Sequence, residues 1–223
     1  MNKTREDDAI AAYFKLLRTK GGDDASISQR EQFLHQLVPF LAGKEHNGAV
    51  YRESLEQLME GQAATDWPAN LVIAREFYPF WMADIKAISQ LNSDGGFDLH
   101  PVDWMPAEIS LADLWKNIDQ EKFSTAESWA IKSYLKALTD EVADAETIDV
   151  RIKFAKILIV RLRDAPLTQK NAYRIAVDAT TPLFEFKKTR QLFLVVVREF
   201  YNFWSGNPDA REHVLKVNKV SIL

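Results

Sequence analysis

The chain has 223 residues, about half of them apolar (47%), with 28 Lys+Arg against 32 Asp+Glu and no cysteine. That length suits one or two domains with cores of their own, and the missing cysteines exclude a disulfide framework, a thiolate nucleophile and any cysteine-ligated metal. No run approaches the ~18 apolar residues of a membrane-spanning helix, and residues 1–8 are charged where a secretory signal is apolar, so a soluble cytoplasmic protein without membrane contact is expected.

Residues 6–20 place Ile10, Tyr13, Phe14 and Leu17 on one helical face, and Gly21-Gly22 ends that helix. Ser28-Gln29-Arg30-Glu31 has the form of a capping box, which predicts a second helix carrying Phe33, Leu34, Leu37, Phe40 and Leu41 as far as Gly43. A third helix is expected over about 48–61 and a fourth over about 68–91, after Trp67-Pro68. Pro79 falls inside the fourth, where its missing amide donor predicts a kink or a restart.

Residues 92–123 begin with Asn92-Ser93-Asp94-Gly95-Gly96, pass His100-Pro101 and Met105-Pro106, and regain helical character near Leu111 to Ile118. Phe97, Trp104 and Trp115 in this connector imply that it packs onto a neighbour. Ser124 to Glu127 forms another capping box, opening a helix with Trp129, Ile131, Tyr134, Leu135 and Leu138. Further helices are expected over 148–162, about 168–180 and about 185–205. Leu192 to Val197 is β-branched, but a lone strand would find no partner, so it too reads as helix.

Arg75-Glu76-Phe77-Tyr78-Pro79-Phe80-Trp81 returns as Arg198-Glu199-Phe200-Tyr201-Asn202-Phe203-Trp204, identical at six of seven positions and 123 residues later. Upstream, Tyr51-Arg52 matches Tyr173-Arg174 at an offset of 122. At 121, Tyr13, Lys15, Asp23, Ile27, Arg30, Phe33, Leu37 and Leu41 match Tyr134, Lys136, Asp144, Ile148, Arg151, Phe154, Leu158 and Leu162. An ordered series with small drifts is what a duplication with altered loops leaves behind. The expected fold is therefore all-α: a tandem duplication of a four-helix unit, two similar bundles with a pseudo-two-fold relation. Residues 1–91 form the first repeat, 92–123 an acidic connector with a short helix, and 124–223 the second repeat.

Charge is uneven along that plan. The first repeat carries 10 basic against 13 acidic residues, the connector 2 against 7, and the second repeat 16 against 12. Solvated helix faces explain such a spread; a partner surface on the second repeat, or attraction between connector and second repeat, would exploit it.

The fourth helix of each repeat reads as apolar nearly all round, the mark of a central helix. Charges embedded there need partners. The repeated polar set is Tyr51, Arg52, Arg75, Glu76 and Tyr78, with Tyr173, Arg174, Arg198, Glu199 and Tyr201. One reading makes it a buried brace in each repeat, with Glu76 or Glu199 bonded to an arginine. The other makes it a pocket for a small anionic or aromatic ligand, held by arginines and tyrosine hydroxyls.

No catalytic residue, metal ligand or cofactor is assigned. His35, His46, His100 and His213 show no paired-ligand spacing, and Glu31 with His35 reads as a surface ion pair. Glycine-rich phosphate loops and nucleophile elbows are absent. Lys153, Lys156 and Arg163 form a basic stripe broken at Val160, which with an acidic net charge argues against nucleic acid. The expected role is non-catalytic: protein–protein interaction or regulation, with an unidentified protein partner and homodimerisation in view. A ligand-binding sensor is the alternative, and a nucleic-acid accessory protein the third.

Overall fold

The computed structural model describes residues 4–93, 104–141, 143–166 and 171–215. Among these the chain is all helical, with ten α-helices and no strand. It divides into two compact units at residues 103/104. Phe97, His100-Pro101, the Asp94-Gly95-Gly96 turn and the expected start of a helix at 168 lie outside the described residues.

In the first unit, α1 (Arg5–Thr19) opens with a capping box between Thr4 and Asp7 and buries Ala9, Tyr13, Phe14 and Leu17. Gly21, at φ 91°, takes the left-handed turn beyond it. α2 (Asp24–Leu41) starts earlier than the Ser28 box implies: the Asp23 carboxylate accepts from the Ser26 amide, and Ser28 lies inside the helix. Asp23 caps the Ser26 amide, whereas a Ser28 cap would serve the Glu31 amide; with the helix already begun at Asp24, the amides after Ser28 are no longer free. α3 (Gly48–Glu60) is capped by Asn47, which accepts from Ala49 and Val50. α4 (Trp67–Met82) packs against α1, α2 and α3. It runs through Pro79 and stops at Ala83, whose φ is 54°; α5 (Ile85–Ser93) follows. The single helix expected over 68–91 is thus two, with the break at Ala83 four residues after the proline and the restart at Ile85.

In the second unit, α6 (Leu111–Asn117) lies on α8 (Ala145–Leu162). α7 (Thr125–Asp140) starts at the expected Ser124–Glu127 capping box. α8 packs on α7, α9 (Ala172–Thr180) and α10 (Lys187–Trp204). Leu192 to Val197 is helical. α10 is not the enclosed central helix its composition implied, because Leu192, Arg198, Tyr201 and Trp204 are exposed.

The packing of α6 explains why α8 is more apolar than α2. Trp115 meets Phe154 edge-on with centroids 6.0 Å apart, and Leu114 and Ile118 are buried. Ile157 is buried in α8, whereas Gln36 at the matching place in α2 is exposed. Leu114→Ala is therefore expected to lower the stability of the second unit by about 2 kcal/mol, at the low end of the range for core leucines because α6 is short. Hydrogen exchange resolved by segment is the check: loss of protection should be confined to residues 104–215.

Candidate functional site

The deepest polar feature of the first unit joins three helices that are far apart in sequence. The Tyr13 hydroxyl of α1 donates to Glu76 Oε2 of α4 at 2.8 Å. Arg30 of α2 reaches the same carboxylate with Nε at 3.2 Å and Nη2 at 3.4 Å, and its Nη1 donates to Ser26 Oγ at 2.6 Å. All three side chains are buried. The fork of the guanidinium meets both carboxylate oxygens, the arrangement that best compensates the loss of water around two charges.

The second unit holds the matching set. Tyr134 of α7 donates to Glu199 Oε2 of α10 at 2.8 Å, and Arg151 Nη1 of α8 lies 2.5 Å from that oxygen. The other carboxylate oxygen accepts from the Leu215 amide at 3.1 Å. Arg151 Nε is buried without a hydrogen bond among the described residues. Where Ser26 serves Arg30, Thr147 donates its hydroxyl to the helix-capping Asp144, so Arg151 is held by fewer contacts.

The charge environments follow from this geometry. Burial, then the Glu76 carboxylate, push the Tyr13 hydroxyl far above the usual tyrosine range; burial, then Glu199, do the same to Tyr134. Burial opposes the charge on Arg30, but the Glu76 carboxylate and Tyr13 outweigh it and raise its pKa. Glu199 is raised by burial despite Arg151 and Tyr134. A raised carboxyl favours the protonated folded state, so this group's contribution is full below about pH 4 and is lost as pH rises through its folded value.

The sequence-derived candidates divide sharply. Glu76 and Glu199 are in the braces. The cations paired with them are Arg30 and Arg151. Arg30 and Arg151 stood among the repeated positions; what local spacing hid is that α2 and α8 deliver them to the fourth helix across 46 and 48 residues. Arg75 and Arg52 are half-buried, and Arg174 and Arg198 are exposed. Tyr51 and Tyr173 anchor the third helix to the fourth, donating to the carbonyl oxygens of Ala74 and Val197.

A second repeated feature is aromatic. In the first unit Tyr51 packs against Tyr78 (centroids 5.0 Å, 64°) and Trp81 (5.2 Å, 46°). In the second, Tyr173 packs against Tyr201 (5.0 Å, 74°) and Trp204 (4.9 Å, 44°). The first trio is covered by His46, whose ring stacks on Trp81 at 4.5 Å. Trp81 is 1% exposed; Trp204 is 44% exposed and Tyr201 47%.

One expectation about charge changes. Glu31 pairs with Arg18, at 3.9 Å, rather than with His35. The basic stripe meets the connector: Asp119 pairs with Lys153 and Lys156, and Glu121 pairs with Arg163, which also pairs with Glu127 of α7. The acidic connector and basic repeat thus satisfy each other within one chain.

Among the described residues no group of three or more His, Asp or Glu side chains is placed to hold a metal ion, and no helix is long and apolar enough to cross a membrane. The architecture defines an all-helical protein of two units, each tied by a buried Tyr–Arg–Glu brace. No family model, curated protein or solved structure matches the chain.

Proposed function

We propose that this is a non-catalytic protein-interaction protein, built by tandem duplication of a four-helix unit with a pseudo-two-fold relation, whose second unit carries the contact surface. One observation carries the reading. The repeated Tyr13/Tyr134, Arg30/Arg151 and Glu76/Glu199 are consumed by the braces, while the tryptophan that is covered in the first unit, Trp81, has an exposed counterpart in the second, Trp204, beside the exposed Tyr201. Duplication supports it through the two Tyr–Arg–Glu sets, which occupy matching helices at matching sequence positions. Large exposed aromatics mark contact surfaces more than chance does, because tryptophan and tyrosine combine area with few rotamers.

The test is recovery of the tagged full-length chain from its own cells beside Trp204→Ala. The expected result is a protein partner recovered in near-stoichiometric amount with the wild type and lost with the variant. Identical recovery from both would overturn the reading.

One observation favours the ligand-binding alternative. A Cβ at Gly48 would come within 2.9 Å of the Tyr78 hydroxyl and 3.3 Å of Arg52 Nη1, so glycine lets two polar groups converge on the first turn of α3. That is suited to a small anion. Native mass spectrometry separates the readings: bound mass that vanishes on denaturation and is lost in Arg52→Ala supports the ligand, and its absence removes it.

A further inference from the structure

We propose that residues 206–215 form a releasable strap on the second unit. When the Leu215 amide lets go of Glu199, the Arg151 guanidinium turns to take both carboxylate oxygens. The device concerns the second brace alone and stands whether or not a protein partner binds.

The two braces differ at one carboxylate oxygen. In the first unit Arg30 spans Glu76, with Nε 3.2 Å from Oε2 and Nη2 3.4 Å from Oε1. In the second, the Leu215 amide donates to Glu199 Oε1 at 3.1 Å, and Arg151 reaches only Oε2, through Nη1. The guanidinium is left with a buried Nε that finds no acceptor among the described residues. A forked arginine–carboxylate contact is the stronger arrangement, and a buried donor left over is costly. The strap therefore holds a place that Arg151 is shaped to take.

The strap is also lightly held. It leaves α10 at Gly206, where φ is 73°, and Asn207 bonds back to Asn202 through its amide and its side chain. It ends at Leu215, whose φ of 57° is left-handed and strained for a leucine. Against that stand the burial of Ala210 and Val214 and an exposed Arg211–Asp140 pair at 3.7 Å. Such a surface pair adds little in water. Release relieves Leu215, satisfies Arg151 Nε and keeps both oxygens of Glu199 bonded. The docked and released states thus lie close in free energy, as a two-state element requires. Release uncovers the apolar surface under Ala210 and Val214.

The experiment follows amide exchange at Leu215 and at Val196, inside α10, by NMR of the full-length chain. Arg151→Lys keeps one donor for Glu199 Oε2 but cannot fork across both oxygens. It is therefore expected to slow Leu215 exchange by about tenfold, because the released state loses its compensation. A strap that merely leans on the brace would respond in the opposite sense. Val214→Ala should speed Leu215 exchange roughly tenfold and leave Val196 unchanged. Val214→Asp puts a charge into a fully buried seat and should force the strap off with helical circular dichroism retained. In that variant the Arg151 Nε–H resonance should move downfield, toward that of Arg30.

Leu215 exchange that is unchanged or faster in Arg151→Lys would overturn the proposal. So would equal acceleration of Leu215 and Val196 in Val214→Ala, since the strap would then open only with the whole unit. Loss of the helices in Val214→Asp, or an Arg151 Nε–H resonance that stays in place there, would overturn it too.

Discussion

Arg30→Met is expected to destabilise the first unit by about 3–5 kcal/mol, the magnitude found when a buried ion pair loses one member. The methionine replaces the volume but removes the guanidinium from the Glu76 carboxylate, and it strips Ser26 Oγ of its donor. The damage comes chiefly from the stranded charge, so removing the whole set should repair much of it. Tyr13→Phe/Arg30→Met/Glu76→Leu is expected to recover most of the loss, because an apolar replacement of a buried pair is close to neutral. Urea denaturation of the single and triple variants measures this directly. Arg198→Ala, on the exposed face of α10, should stay within about 0.5 kcal/mol of wild type. A triple variant no more stable than Arg30→Met would mean that the brace, beyond avoiding a stranded charge, is itself the main stabiliser.

Alkaline solution should unfold the protein over a narrow range. Four of the six tyrosines, Tyr13, Tyr51, Tyr134 and Tyr173, have hydroxyls raised well above the usual value, in every case mainly by burial. Each stays neutral in the folded chain and ionises in the unfolded chain above about pH 10. The unfolded state therefore binds fewer protons there, and stability falls with rising pH by about 1.4 kcal/mol per pH unit for each group. Two such groups in each unit remove roughly 3 kcal/mol per unit of pH. Against a reserve at the lower end of the usual range, about 5–8 kcal/mol for a domain, collapse is expected between about pH 12 and pH 13. Phenolate absorbance and helical circular dichroism should change together. Phenolate that appears in full while the helices remain would show that these hydroxyls are accessible, and would refute the buried arrangement. Tyr51→Phe and Tyr173→Phe should each shift the transition to higher pH.

The helices were legible because their signals are local. Ser124 to Glu127 and the apolar spacing after it place α7 within a residue of its observed start. The Ser28 box failed because Asp23 offers the same chemistry a turn earlier, and a sequence window does not rank two competing caps. Pro79 drew the eye as a breaker, yet the break comes at Ala83, a residue with no preference for the left-handed conformation it adopts.

The candidate site was half legible. Repetition singled out Glu76 and Glu199 and a brace to an arginine, but not which arginine closes it. On a helix, adjacent residues point about 100° apart, so Arg75 and Glu76 do not share a face. Their true partners come from α2 and α8, a choice made by tertiary packing. The covered and open aromatic trios could not be told apart in sequence at all, since what separates them is a turn contributed by another part of the chain.

The reach of each brace also bears on synthesis. Tyr13, Arg30 and Glu76 have all been made before the ribosome reaches the second unit, so the first brace has its parts early. Glu199 instead completes its hydrogen bonds with the amide of Leu215. A polypeptide released at residue 214, after α10 has ended yet short of that amide, leaves Glu199 Oε1 without the Leu215 donor. The second unit is therefore expected to reach its full stability only once residue 215 is in place, although every one of its α-helices has been translated by then.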